Sequence, residues 1–174
     1  MEYNAIKVFG IGLTRTGTTS LAVAMKQVGY RVTHYPTRDD LFEGQYDSAY
    51  DLSVVIAYKE LDQFFPGSKF IYTVRENSGW LDSMENYLDG REIVSQQQRG
   101  NRERVYGQSA FDRKIYSAAH DRHHDDVLTY FKTRHQDLLI LNICGGEGWK
   151  PLLSFLNIDV SVGDFPRKHQ QNYN

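Results

Sequence analysis

The sequence lacks the features that mark secreted, membrane-bound or nucleic-acid-binding proteins. It contains a single cysteine, Cys144, so no internal disulfide can form. The formal net charge of −2 gives no global basic field that would attract nucleic acid or a membrane surface. No window approaches ~18 consecutive apolar residues, and the first residues have neither the basic nor the apolar part of a signal peptide. These absences predict a soluble, cytoplasmic protein.

The composition is that of an ordinary folded domain. With 174 residues the chain is long enough to bury a real core, and its 40% hydrophobic content argues against disorder. No internal repeat, linker or low-complexity tract divides it. The sequence therefore predicts one domain over residues 1–174, in which residues 91–126 form a lid or a helical insertion. The oligomeric state is left open.

The most informative stretch covers residues 5–29. Residues 5–12 are an apolar run of strand length, and residues 12–19 form a glycine-rich turn. Apolar residues then recur at helical spacing up to Gly29, a candidate C-terminal cap: Leu21, Ala24, Met25 and Val28. The amides at a helix N-terminus have no intrahelical partner and carry the positive end of the helix dipole. A strand, a glycine-rich loop and a helix in this order therefore predict a phosphate-binding unit, although an ordinary glycine turn is the alternative.

The loop departs from the Walker A pattern at one decisive position. Gly12, Gly17 and Thr19 match that pattern, but Thr18 stands where its lysine belongs. A nucleoside triphosphatase needs the lysine on its β- and γ-phosphates. The only cation in this loop is Arg15. The sequence thus favours an anion site of a different kind.

The rest of the chain alternates strands and helices. Strands are predicted at residues 30–35, 69–75 and 137–143, and helices at 54–65, 78–89, 111–135 and 149–156. Ser78 is a candidate N-cap, residues 37–53 read as a loop with room for one helical turn, and residues 162–174 as an irregular tail. This order predicts an α/β fold with a parallel sheet flanked by helices and a ligand at the carboxyl ends of its strands. Arg15, His34, Arg75 and the turn after Ile143 would lie along that edge.

Two sequence motifs resemble those of sulfotransferases. Residues 14–21 resemble the loop that holds the 5′-phosphosulfate, in which Lys or Arg precedes x-G-T-T. Arg75 at a strand end and Ser83 eight residues later resemble the pair that holds the 3′-phosphate of the donor, 3′-phosphoadenosine 5′-phosphosulfate (PAPS). The likeness to compact PAPS-dependent sulfotransferases extends over most of the chain, through GIGLTRTGTTSLAVAMKQVGY, KFIYTVRENSGWLDSM, LLILNICGGEGWKPLLSFLNID and DFPRKHQQN.

The resemblance implies a P-loop NTPase-like three-layer sandwich that transfers a sulfuryl group from PAPS to a hydroxyl or amine, without a metal. It also implies that Arg167 and Lys168 fold back onto the 3′-phosphate, whereas the alternative for this pair is a solvated basic tail. The implied donor-binding residues are Gly12, Thr14, Arg15, Thr16, Gly17, Thr18, Thr19, Arg75, Ser83, Arg167 and Lys168.

The catalytic candidates are Arg15, Asp51 and His34. Arg15 would stabilise the leaving phosphate. Asp51 lies about where the family has a catalytic histidine, and a carboxylate can act as base if burial raises its pKa. His34 follows a strand and has an intrinsic pKa suited to proton transfer near neutrality. Asp51 is slightly favoured, but a helix N-cap for Asp51 and a packing role for His34 are alternatives.

Other patterns favour less specific interpretations. The basic residues of 91–114 indicate a solvated helix face or a lid that brings cations over an anion. His120, His123 and His124 suggest a metal site, but a solvated helix face is the default. Six aromatic residues either line an acceptor pocket or belong to the core: Tyr35, Tyr46, Tyr50, Tyr58, Trp80 and Tyr87. Rival functions are a P-loop kinase or nucleoside triphosphatase, for which no Walker B aspartate is evident, and a non-catalytic nucleotide-binding protein.

Overall fold

The computed structural model describes residues 6–43, 45–91 and 95–168. Within these ranges five strands form one sheet in the order β2-β3-β1-β4-β5, and every neighbouring pair is parallel. Phe9 at the centre pairs with Ala49 on one side and Phe70 on the other. The strands are β1 (Val8–Gly10), β2 (Val32–His34), β3 (Ser48–Tyr50), β4 (Lys69–Thr73) and β5 (Leu138–Leu141).

Helices cover both faces of the sheet. They are α1 (Thr18–Gln27), α2 (Arg38–Glu43), α3 (Leu52–Phe64), α4 (Asn77–Leu88), α5 (Gln96–Tyr106), α6 (Arg113–Phe131) and α7 (Trp149–Leu156), with a short 3₁₀ turn at His135–Asp137. None of these helices is long and apolar enough to cross a bilayer.

Alternate residues of the central strands point to opposite faces, as a strand requires. Phe9 and Phe70 pack with α3 and α6 on one face. Val8 and Ile71 pack with α1 and α7 on the other. A third cluster, around Trp80, lies among α4, α5 and α6. The predicted three-layer α/β sandwich is therefore confirmed.

The helix ends confirm one predicted cap and correct another. Gly29 has a φ of 95°, and the amides of Gly29 and Tyr30 donate to the carbonyls of Lys26 and Met25, so α1 ends in a Schellman motif. Ser78, the predicted N-cap of α4, lies inside that helix. The cap is Glu76, whose carboxylate accepts from the amides of Ser78 and Gly79. The Ser78 hydroxyl also donates to this carboxylate, and this bond together with the two amides lowers the pKa of Glu76 to about 2.

The prediction for residues 37–53 is wrong at β3, a strand where a loop was expected, whereas the short α2 lies where one helical turn was allowed. β3 has only three residues, and all three are fully buried between β1 and β2. The Ser48 hydroxyl donates to the Val8 carbonyl, which compensates a polar side chain in the core. Tertiary pairing rather than local pattern creates this strand, and it places Asp51 at the carboxyl edge.

Candidate active site

A cleft of about 520 Å³ opens at the carboxyl ends of the strands. Arg15, His34 and Arg75 line it, as the parallel topology predicted, and so does Asp51, which follows β3. The other predicted site residues on its wall are Gly12, Thr14, Gly17, Thr18, Thr19, Ser83, Arg167 and Lys168. Thr16 is the one predicted residue that does not line the cleft. Its buried hydroxyl donates to the Leu13 carbonyl and lies 2.7 Å from the Thr73 hydroxyl, so it fastens the loop to β4.

The loop has a conformation that only glycine permits at two positions. A Cβ on Gly12 would lie 1.8 Å from the Thr73 hydroxyl and 2.7 Å from the Thr73 carbonyl oxygen. Gly17 has a φ of 102° at the N-cap of α1, where its Cβ would lie 3.0 Å from the Ile143 side chain. The loop therefore passes against β4 without intervening side chains, and the first amides of α1 are available to an anion.

Arg15, Arg75 and Ser83 form one connected group. The Arg15 guanidinium donates from Nε to the Ser83 hydroxyl at 3.1 Å. Arg75 donates from one terminal nitrogen to the Arg15 carbonyl at 3.4 Å. The indole of Trp80 donates to the carbonyl of the preceding residue, Thr14, at 2.8 Å. The loop and the α4 region thus meet directly, and two guanidinium groups lie on the same side of the sheet.

Asp51 has an unusual backbone and an unusual pKa. Its φ of 114° and ψ of 175° fall in a region that is essentially restricted to glycine and costs about 1–3 kcal/mol. Three of the four non-glycine residues with positive φ in the described ranges, Arg15, Tyr35 and Asp51, line the cleft. Burial raises the pKa of Asp51 to about 6, although the Leu52 amide and Arg102 act in the opposite direction. A carboxyl group with this pKa can exchange a proton near neutrality.

His34 lies at the end of β2, on the same edge of the sheet. Its ring stacks on Tyr35 with centroids 4.0 Å apart. Burial, and secondarily Lys26, lower the pKa of His34, so its ring is neutral at pH 7. Both base candidates are therefore within the same cleft.

The basic pair near the end of the described chain packs against the protein. The Arg167 guanidinium donates to the Ile143 and Gly146 carbonyls at 2.7 and 2.8 Å. The Lys168 amide donates to the Ser20 hydroxyl in the first turn of α1. This segment therefore joins the loop after β5 to the first turn of α1, which argues against a freely solvated tail.

Comparison with known proteins identifies the family. A family model described as a sulfotransferase domain matches residues 7–38, 35–99 and 91–173. The chain belongs to the sulfotransferase family. It is 32% identical over 114 residues to the Ava biosynthesis cluster protein M of Aspergillus versicolor, a match that covers 48% of this chain and 43% of that protein.

The fold is similar to that of a solved sulfotransferase. The crystal structure of mouse sulfotransferase SULT7A1, complexed with PAP, superimposes with a TM-score of 0.54 at 16% identity, covering 91% of this chain and 61% of that one. The matched part is less than two thirds of the length of either protein. At this identity the comparison supports the fold of this sulfotransferase-family chain.

The cleft of this sulfotransferase-family chain has a further wall that the sequence interpretation did not assign. Tyr87 from α4, Arg91 beyond it and Cys144 after β5 line the cleft, together with a face of α5 formed by Gln98, Asn101 and Arg102. Arg102 belongs to the segment predicted as a solvated face or a lid. Because nearly every residue of α5 is polar, the spacing of these three residues gave no sequence signal for this wall. Of the six aromatic residues considered for a pocket, Tyr35 and Tyr87 line the cleft, whereas Tyr46, Tyr50, Tyr58 and Trp80 are buried in the core.

The histidines of α6 are bonded to the protein, so the expectation of a solvated face is wrong for them. His120 and His123 place Nε2 at 3.1 and 2.8 Å from the carbonyls of Arg75 and Ile11. Because a carbonyl only accepts, both rings carry their proton on Nε2 in these bonds. They hold α6 against the chain that follows β4 and β1. Among the residues that the structure describes, no three histidine, cysteine or acidic side chains are grouped to hold a metal ion.

Proposed function

We propose that this chain binds PAPS and transfers its sulfuryl group to a hydroxyl or amine acceptor. The observation that supports this most directly is the connected group of Arg15, Ser83 and Arg75 beside the first amides of α1. This arrangement suits two separate anionic groups, one at the helix N-terminus and one between Arg75 and Ser83. A nucleotide that carries both a 5′- and a 3′-phosphate fits it. The PAP bound to mouse SULT7A1 supports the same donor class.

The loop is suited to such a donor by its shape. Gly12 and Gly17 bring the backbone close to β4 and to Ile143, so the amides, rather than side chains, face the anion. Thr18 at the position of the Walker lysine leaves Arg15 as the loop cation. We infer that the 5′-phosphosulfate lies over residues 12–19, with Arg75 and Ser83 on the 3′-phosphate and with Arg167 and Lys168 at the edge of the site.

In the proposed reaction, the sulfur forms a bond to the acceptor oxygen or nitrogen while its bond to the donor's phosphate oxygen breaks. Arg15 and the loop amides neutralise the charge that grows on the leaving phosphate. The acceptor loses a proton in the same step, and Asp51 is the better suited base because burial raises its pKa to about 6. His34, on the same edge, is the other candidate.

The donor class is tested by calorimetry with three nucleotides. Adenosine 3′,5′-bisphosphate should bind more tightly than AMP by about tenfold to a hundredfold, because charged hydrogen bonds to the 3′-phosphate add about 1.5–3 kcal/mol. ATP with Mg²⁺ should bind more weakly than the bisphosphate. Equal affinity for the bisphosphate and AMP, or tightest binding of ATP with Mg²⁺, would exclude a PAPS-type site and favour a kinase or nucleoside triphosphatase.

The 3′-phosphate contact is tested with Arg75→Gln. This variant should lose most of the affinity difference between adenosine 3′,5′-bisphosphate and AMP, a drop of about tenfold or more for the bisphosphate. AMP affinity should change little. Arg99→Gln, on the exposed side of α5, removes the same charge outside the cleft and serves as the control. An equal loss for both nucleotides would mean that Arg75 acts only through the Arg15 carbonyl that it holds.

A further inference from the structure

The cleft carries more positive charge than the proposed donor site uses. Six cationic side chains line it, and Asp51 is the only carboxylate among the described lining residues. Arg15 and Arg75 are assigned to the donor, with Arg167 and Lys168 at the edge of that site. Arg91 and Arg102 remain, and nothing in the proposed chemistry accounts for them.

These two arginines gather around one aromatic ring. The guanidinium carbon lies 4.5 Å from the Tyr87 centroid for Arg91, 6.0 Å for Arg102 and 5.3 Å for Arg15. Neither Arg91 nor Arg102 forms a salt bridge within the ranges that the structure describes. Cation–π contacts with one ring offset little of the repulsion between like charges in a partly enclosed cleft. An anion between them would remove that repulsion.

Arg102 is one of the arginines around Tyr87 and also lies near Asp51, the proposed base. Arg102 is close enough to Asp51 to act on the ionisation of its carboxyl group. Gln98 and Asn101 lie on the same face of α5 and also line the cleft. If the hydroxyl of an acceptor lies at Asp51, the other end of that acceptor therefore faces two guanidinium groups and two amide side chains of the cleft wall.

We propose that the acceptor carries a carboxylate or phosphate group, which Arg102 and Arg91 bind beside Tyr87 while the acceptor's hydroxyl lies at Asp51. This inference rests on the proposed function and narrows its substrate class to anionic alcohols or phenols. Arg102 selects the acceptor by charge and does not contact the donor. A carboxylate and a phosphate group differ in geometry, but both accept paired hydrogen bonds from guanidinium groups.

The experiment compares acceptors that differ mainly in charge. Turnover with PAPS is measured at about pH 8, where Asp51 is ionised in every variant. The probes are 4-hydroxyphenylacetate against 4-ethylphenol and tyramine, and glycerol 3-phosphate against glycerol. The anionic member of at least one set should have a kcat/KM about tenfold or more above its neutral and cationic analogues. The set that shows the difference tells a carboxylate acceptor from a phosphate acceptor.

Variants locate the source of the preference. Arg102→Gln and the double variant with Arg91→Gln should lower kcat/KM for the anionic acceptor by about tenfold or more and leave the neutral analogue nearly unchanged. Affinity for adenosine 3′,5′-bisphosphate should not change. Arg99→Gln, at an exposed position of α5 that does not line the cleft, is the matched control and should retain the preference.

Each contrary result overturns a specific statement. Equal or better turnover of neutral acceptors, no turnover of any anionic probe, or an anion preference that survives the double variant contradicts the acceptor class. A large loss of bisphosphate affinity in Arg102→Gln would place Arg102 in the donor site instead. The absence of bisphosphate binding in the unmodified chain contradicts the proposed function itself, so the two failures are distinguishable.

Discussion

Replacing Asp51 with asparagine should lower kcat by about 10²–10⁴-fold while leaving bisphosphate affinity unchanged, because general base catalysis typically contributes that factor. Asparagine keeps the shape of the side chain, and asparagine and aspartate are both among the non-glycine residues most often found at positive φ. The loss would therefore report the missing base and not a rearranged cleft. Initial rates with PAPS and a saturating acceptor, together with calorimetry, provide the two measurements.

The same substitution should change the pH dependence of both activity and stability. Burial raises the pKa of Asp51 to about 6 in the folded chain, against 3.8 for an aspartate in water. The rate of the unmodified chain should fall as the pH drops through about 6, and the Asp51→Asn variant should lack this step. A raised folded pKa means that the folded state binds the proton more tightly. The contribution of Asp51 to the free energy of unfolding therefore decreases between about pH 4 and pH 6 and stays lower above pH 6.

Asp51→Asn should consequently be more stable than the unmodified chain at pH 8. The difference between a pKa of 3.8 in the unfolded chain and about 6 in the folded chain corresponds to at most about 3 kcal/mol in the free energy of unfolding. At pH 3 the two chains should differ little. Denaturant unfolding at both pH values measures this change, and a variant that is inactive but destabilised at pH 8 would contradict the interpretation.

His34→Gln distinguishes the two base candidates. If Asp51 is the base, His34→Gln should keep most of the activity and the step near pH 6. If His34→Gln instead loses activity by about 10²-fold or more while Asp51→Asn retains it, the roles are reversed. Asp39→Asn on the exposed start of α2 is a matched carboxylate control outside the cleft.

Replacing Gly12 with alanine should disrupt the glycine-rich loop of residues 12–19. The added Cβ would overlap the Thr73 hydroxyl at 1.8 Å and approach the Thr73 carbonyl oxygen at 2.7 Å, so backbone atoms of β4 or of the loop must shift. We expect the free energy of unfolding to fall by about 3 kcal/mol, the upper range for overpacked cores. The melting temperature should fall by about 6–12 °C, and a displacement of about 1 Å should lower kcat by about 10²-fold and weaken bisphosphate binding.

A second glycine provides the control for this change. Gly100 lies inside α5 with open space around its would-be Cβ. Gly100→Ala should therefore raise the free energy of unfolding by up to about 1 kcal/mol through helix propensity, without altering donor binding. Similar behaviour of the two alanine variants would show that the contact at Gly12 can relax.

The central part of the fold was predictable because its signals are local. The apolar strand, the glycine-rich loop and the helix ended by Gly29 are consecutive in the chain and need no partner to be recognised. β3 was not predictable in this way, since three residues are too few for a periodic pattern. Its assignment depends on pairing with β1 and β2, whose paired residues lie 40 and 16 positions earlier in the chain.

The site was predictable to a similar extent and for a similar reason. Residues at strand ends and in the glycine-rich loop follow from the rule that ligands bind at the carboxyl edge of a parallel sheet. Arg102 and its neighbours on α5 could not be placed, because the sequence does not reveal which face of a polar helix packs inward. Likewise, the contact between Arg15 and Ser83 joins residues 68 positions apart.

The indole bond to the Thr14 carbonyl has a consequence for how the loop meets a charged molecule. A trans peptide unit is planar and holds its carbonyl and amide antiparallel. Because Trp80 is fully buried and its ring nitrogen can only donate, the Thr14 carbonyl must face inward and the amide of Arg15 must face away from the indole. One local dipole is thus oriented before any anion arrives, whereas water molecules would have to reorient at the moment of charge development.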